Sequence, residues 1–269
     1  MTRIEKTFER TTTANEKALV GFITAGDPDM ERSQEIILAM IENGLDILEL
    51  GVPFSDPTAD GPVIQRSSAR ALKNGMNLEK VRDMIVATRR NNTEIPIIVF
   101  SYYNPIYAYG IEKFYADFVT AGADGVLVVD LPPEESDEMT SKWTGLPLPL
   151  IRLVAPTTPD ARMKSIADDS SGFIYMVSKT GVTGSAGLDA EESGGQVARL
   201  KKLTTLPVCV GFGISTPEDV AAVSRVADGV VIGSAYERTI EENLDDNKTI
   251  AEHIGKQTAA YKAATRIDG

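Results

Sequence analysis

At 269 residues, with 42% apolar and 25% charged side chains, the chain has an ordinary globular composition and enough length to bury a sizeable core. A net charge of −12 argues against nucleic acid or an anionic membrane surface as a partner, since both repel an acidic protein, and an anionic substrate then needs a local electropositive site. One cysteine, Cys209, and one histidine, His253, exclude an intrachain disulfide and give no basis for a histidine triad or a metal centre, so carboxylates and backbone are left to do any chemistry.

The N-terminus lacks the apolar stretch of a secretory signal, and no apolar run approaches about 18 residues, so a cytoplasmic protein is expected. Ile4 and Phe8, four apart, predict a short amphipathic helix that covers one end of a core. ALVGFITAGDP reads as a buried strand closed by Gly26, Asp27 and Pro28, and a helix over Met30 to Glu42 follows, ended by Asn43 and Gly44. The unit then recurs. DILELG is followed after a long polar loop by NLEKVRDMIVATRRN, IPIIVFSYYNP by IEKFYADFVTAG, DGVLVVDLP by EESDEMTSKWTG, and LPLIRLVAP by TPDARMKSIADD. GFIYMVS precedes a Gly-rich loop and AEESGGQVARLKKL, LPVCVGFGI precedes TPEDVAAVSRV, and DGVVIGSA leads into the last helical stretch. About eight strand-then-helix units predict an α/β fold, a single-domain (β/α)8 TIM barrel over 1–269 with an extra N-terminal helix. The alternative, an open doubly wound sheet, is disfavoured because TAGDPDM lacks the G-x-G-x-x-G turn of dinucleotide folds.

In DILELG, strand alternation puts Ile47, Glu49 and Gly51 on one face and Leu48 and Leu50 on the other. Glu49 thus interrupts an apolar segment, where lost hydration raises its pKa toward the range useful for proton transfer. Asp60, eleven residues on, can reach back over the strand end, and two carboxylates in different surroundings can divide acid and base duties. The competing reading pairs Glu49 with a buried cation and makes Asp60 a turn residue. Other polar and glycine residues fall at the C-terminal ends of strands, the rim on which barrels build active sites. Three late loops, SKTGVTGSAG, GFGIST and IGSAYE, concentrate glycine, and Gly233-Ser234 opens a helix whose N–H groups would face that rim. Such a helix end suits a phosphate, with Thr183 and Ser234 as hydroxyl donors, although a strand-end glycine can equally be a plain turn residue. The aromatics Phe22, Phe100, Tyr102, Tyr175 and Phe212 are either core or the walls of a flat apolar pocket.

ELGVPFSDPTADGPVIQ from Glu49 to Gln65, with GFITAGDP, SYYNPI, SKTGVTG, GFGIS and IGSA in that order along the chain, resembles the α subunit of tryptophan synthase. The resemblance implies a lyase that cleaves indole-3-glycerol phosphate to indole and glyceraldehyde 3-phosphate, with no metal or organic cofactor in this chain. It implies Glu49 as general acid and base and Asp60 as the partner of the indole N–H. Tyr175 would support Glu49, while Phe22, Ile64, Phe100, Tyr102 and Phe212 would line the indole pocket. Gly184, Gly213, Gly233 and Ser234 would bind phosphate, and SKTGVTGSAG would close as a lid with Thr183 bridging to Asp60. A pyridoxal-phosphate-carrying β subunit would receive indole through a tunnel in an α2β2 assembly, meeting this chain near Asp56, Asn104 and Pro132. Thr58, Lys179 and the acidic SAGLDAEES depart from the common family pattern and bear on subunit contact and closure. Two other readings stand beside this one: a stand-alone lyase, and a non-catalytic subunit that binds a phosphate ester and activates a β partner.

Overall fold

Eight short runs of β-branched and aliphatic residues form the strands Ala18–Thr24 (β1), Ile47–Gly51 (β2), Ile97–Ser101 (β3), Gly125–Val128 (β4), Leu150–Val154 (β5), Ile174–Val177 (β6), Val208–Gly211 (β7) and Gly229–Ile232 (β8). They pair in parallel in chain order, and β8 returns to β1, so the sheet closes into a barrel. The computed structural model describes residues 1–142, 148–177, 190–211, 213–246 and 249–267, without the side chains of 190–193.

Both faces of the strands are buried, and successive side chains divide between two cores. Ile47 points into the barrel with Val20, Ile98, Leu127 and Ile151, whereas Leu48 and Leu50 face the helices, as alternation predicts. Helix α1 (Arg3–Thr13) starts with a capping box of Thr2 and Glu5 and buries Ile4 and Phe8 under the barrel, where the Phe8 and Phe173 rings lie 6.0 Å apart. This closes the end opposite the strand C-termini, so the interior opens only toward the other rim. The expected N-terminal cover is therefore present.

The outer layer contains α2 (Met30–Glu42), α3 (Pro62–Lys73), α4 (Leu78–Asn91), α5 (Tyr103–Tyr109), α6 (Ile111–Ala121), α7 (Asp137–Thr140), α8 (Asp160–Asp168), α9 (Ala190–Lys201), α10 (Pro217–Ser224), α11 (Ser234–Glu242) and α12 (Ile250–Ala264). Three segments differ from the sequence expectation. Part of the supposed polar loop after β2 is α3, whose buried face is Ile64, Ser67, Ser68 and Ala71, too polar to show apolar periodicity. Tyr103 begins a helix rather than extending β3, and the described residues of the segment after β4 form a 3-10 turn over Pro133–Glu135 and the four-residue α7. Among the described residues no helix is long and apolar enough to cross a membrane.

Candidate active site

The open end of the barrel holds a cavity of about 460 Å³, part of it open to solvent, lined by Phe22, Glu49, Asp60, Ile64, Phe100, Tyr175, Gly213, Ile214, Val231, Gly233 and Ser234. Carboxylates, an apolar slot and a glycine-rich end thus meet in one space. The slot is shaped by close fits. Phe22 and Phe100 meet edge to face at 5.1 Å, and Gly51 leaves room for Phe22, whose Cζ would lie 2.5 Å from a Cβ there. A Cβ on Gly211 would likewise fall 2.2 Å from the Tyr175 hydroxyl, so glycine at that position lets the ring lie flat against β7.

Glu49 is the second inward residue of β2, registered beside Phe22 on β1 and Ile98 on β3. It is 1% exposed, and its Oε1 has no hydrogen-bond partner among the described residues. Burial pushes its pKa up to about 8, so the group is a neutral acid at pH 7. Among the described residues no cation pairs with it, as the competing sequence reading would require. With an unpartnered oxygen at the cavity wall, Glu49 can give a proton to a bound molecule and later take one back.

Asp60 lies one residue before the N-cap of α3, with Pro62 starting the helix. Its backbone is pinned by Asp60 N donating to Pro57 O at 3.0 Å and by Gln65 Nε2 donating to Asp60 O at 2.8 Å. Tyr102 bridges this loop to the barrel: its hydroxyl donates to Asp60 Oδ2 at 3.0 Å and accepts from Ala59 N at 2.9 Å. Burial raises the Asp60 pKa to about 6 against the opposing pull of the Tyr102 hydrogen bond. At neutral pH one carboxyl is therefore protonated and its neighbour in the same cavity ionised. The Tyr175 hydroxyl, buried near both, is pushed well up by burial first and then by Glu49, Cys209 and Asp60 in turn, and stays neutral.

The far end of the cavity is built from backbone. Gly233 caps α11, and the helix opens at Ser234, so the first N–H groups lack intrahelical acceptors and meet the cavity with the positive end of the helix dipole. Gly213 has φ +77, a conformation that favours glycine, and brings main chain to the same end. An anion can be held there despite the acidic surface.

Of the residues expected from sequence, Phe22, Glu49, Asp60, Ile64, Phe100, Tyr175, Gly213, Gly233 and Ser234 come together in the cavity. Tyr102 sits behind Asp60 rather than on the wall. Thr183, Gly184, Phe212, Lys179 and the proposed lid lie outside the described residues. Asp56, Thr58 and Asn104 are exposed and Pro132 half-buried, all on the rim and away from the cavity. Sequence reading missed Ile214 and Val231, which looked like ordinary strand and turn residues, and the role of Tyr102 as a hydrogen-bond bridge. It also missed the ion pair of Arg70 with Asp27, because Arg70 sits on the unrecognised α3. Among the described residues no group of three or more His, Cys, Asp or Glu is arranged to hold a metal ion.

The family model described as tryptophan synthase alpha chain matches residues 8–266. A tryptophan synthase alpha chain of Desulfatibacillum aliphaticivorans is 61% identical over 266 residues, covering 99% of this chain and 100% of that protein. The crystal structure of tryptophan synthase subunit alpha from Legionella pneumophila superposes with a TM-score of 0.90 at 40% identity, covering 98% of each chain. A chain of Mycobacterium tuberculosis tryptophan synthase gives a TM-score of 0.90 at 31% identity, covering 99% of each.

Proposed function

The chain belongs to the tryptophan synthase alpha chain family, and from that premise we propose that the barrel-mouth cavity cleaves indole-3-glycerol phosphate by a retro-aldol reaction. The observation that carries this reading is the meeting of a protonated Glu49 and an ionised Asp60 in one cavity whose far wall is the start of α11. The indole ring lies in the slot of Phe22, Ile64, Phe100 and Tyr175, and the phosphate takes the N–H groups near Gly213, Gly233 and Ser234. Glu49 delivers its proton to the ring carbon that bears the glycerol chain. The ring nitrogen becomes cationic as that carbon turns tetrahedral, and the Asp60 carboxylate stabilises its N–H. Glu49, now a carboxylate, takes the proton of the adjacent hydroxyl. The carbon–carbon bond breaks, its electron pair returns to the ring, and indole and the aldehyde leave with Glu49 protonated again.

No step draws on a cofactor in this chain, and pyridoxal phosphate belongs to the β subunit with which the family works. Asp56, Asn104 and Pro132 form the face toward that partner in an α2β2 assembly, with Thr183 and Gly184 completing the phosphate side. Partner contact beside the Asp60 loop would order the catalytic carboxylate and raise the rate. The reading further takes the chain as one domain over 1–269 acting in the cytoplasm. It is tested by indole release from indole-3-glycerol phosphate, with and without a tryptophan synthase β subunit. Weak release that rises on adding the partner is expected. High release that ignores the partner would mean a stand-alone lyase, and none in either condition would overturn the assignment.

A further inference from the structure

A second pair of buried carboxyls lies behind the cavity and takes no part in the chemistry above. Glu237, in the first turn of α11, is 0% exposed, as is Asp27 in the turn after β1. Glu237 Oε1 accepts the Thr24 N–H at 2.5 Å. Among the described residues its Oε2 is buried with no hydrogen-bond donor, and the neighbouring acid with which the Glu237 side chain interacts is Asp27. Asp27 is itself claimed on both oxygens by Arg70, Nε to Oδ1 and Nη2 to Oδ2, each at 2.8 Å. Burial raises the Asp27 carboxyl and Arg70 pulls the other way, so the proton shared by the pair is assigned to Glu237, the member with no cation on it, which then donates to Asp27. Burial, and then the Asp27 charge, hold the Glu237 carboxyl well above the usual range, in accord with that assignment.

We propose that Glu237 is a positioning residue of the phosphate site, fastening the first turn of α11 to the end of β1 by accepting from Thr24 and donating to Asp27. The proposal rests on the reading of α11 as the phosphate-binding helix. Ser234 is three residues before Glu237, within one helical turn, so a clamp on Glu237 fixes the rotation and depth of the N–H groups that would face the anion. Hydrogen bonds to an anion weaken steeply when donors tilt away, so this setting decides affinity. An apolar side chain would fill the same space without the desolvation cost of a buried acid, but it could fasten nothing.

The clamp is also sensitive to pH. The charged groups that face it are Asp27 from the β1–α2 turn and Arg70 from α3. Behind them Glu241 of α11 is bound by Arg66 and Arg70 of α3, while Ser67 of α3 and Thr24 contribute only hydroxyls. Loss of the Glu237 proton sets two carboxylates against each other with one arginine between them, which frees the helix end.

The test is equilibrium binding of glycerol 3-phosphate to the purified full chain, which reads the anion site without the chemical step. Glu237→Val should weaken binding about tenfold, as expected for losing one well-aligned charge-assisted contact. Glu237→Gln, which can accept from Thr24 and donate to Asp27, should restore binding to within about twofold of the parent and flatten the alkaline rise in Kd expected of the parent to the part that Glu49 ionisation in the same cavity supplies. Equal binding by Glu237→Val and the parent, or equal weakness of the Gln and Val variants, would overturn the proposal. Should Glu237→Val not fold, the pH profiles of the parent and Glu237→Gln decide, and parallel profiles would overturn it. Failure of the underlying phosphate reading shows separately, as binding indifferent to Ser234→Asp.

Discussion

Replacing Tyr102 by Phe removes one hydroxyl and keeps the ring that packs on Phe54 at 5.2 Å. That hydroxyl is the named force holding the Asp60 pKa down against burial. A hydrogen bond to a charged group contributes about 1.5–3 kcal/mol, and about 1.4 kcal/mol corresponds to one pKa unit, so the Asp60 pKa should rise by about 1–2 units. On the proposed mechanism, kcat/KM in the parent requires ionised Asp60 and protonated Glu49. Activity is therefore lost as pH falls through about 6 and again as it rises through about 8. In Tyr102→Phe the acid limb moves up and the alkaline limb stays.

The size of the loss then depends on pH. At pH 6 the ionised fraction of Asp60 drops from about a half to a tenth or less, a loss of at least about fivefold, whereas at pH 8 a one-unit shift leaves most of the activity. The assay is kcat/KM for indole-3-glycerol phosphate from about pH 5 to 9. A loss uniform across pH, or an acid limb that does not move, would refute the assignment of Tyr102 as the group that keeps Asp60 ionised, and would make it a mere wall.

Glu49→Gln should abolish cleavage and stabilise the fold on the alkaline side. The folded-state pKa of about 8 lies above the ordinary value of 4.5, so the parent loses stability as pH rises between those values, by roughly 4–5 kcal/mol at the top of the window. Thermal melts at pH 5 and pH 8 check this, and a gap between variant and parent that does not widen would contradict it. Gly51→Ala should raise KM and cost about 1–3 kcal/mol, because the new Cβ falls 2.5 Å from Phe22 Cζ; Phe22→Leu on the same chain should recover part of both, read by kinetics and urea midpoints. Arg70→Leu leaves the fully buried Asp27 without its cation and should cost about 3 kcal/mol in urea denaturation, where a loss under about 1 kcal/mol would show that the pair is solvent-screened.

Much of this architecture was legible because parallel strands buried on both faces write themselves as apolar runs, and alternation within DILELG was enough to turn Glu49 inward. The helices that escaped notice are those that bury polar or few side chains. Helix α3 packs Ser67 on Thr24 and aims Arg70 at Asp27, so its inner face carries hydroxyls and charge where a sequence reading looks for leucine. Helix α5 buries one residue, Ile106, which no period can reveal. The same limit hid the partners of the functional groups. Asp60 could be picked out, but its bond to Tyr102 joins residues 42 apart, and the Thr24 to Glu237 contact spans 213 residues.

The Thr24 contact is one of several that converge on β1, which lies between β2 with Glu49 and β8, the strand that leads to Gly233 and Ser234. Phe22 is registered against Glu49 on one side, and on the other its Cβ would lie 3.5 Å from a Cβ at Gly233. Two residues on, the Thr24 N–H holds Glu237 and its hydroxyl meets Ser67 at 2.7 Å, just past the Asp60 loop. One strand therefore sets the distance between Glu49 and the start of α11, and its end fastens the elements that carry Asp60 and Ser234. On the proposed mechanism a phosphate seated on α11 would thereby be registered against Glu49 through packed side chains, so binding energy from a group remote from the breaking bond would hold the indole carbon under the acid.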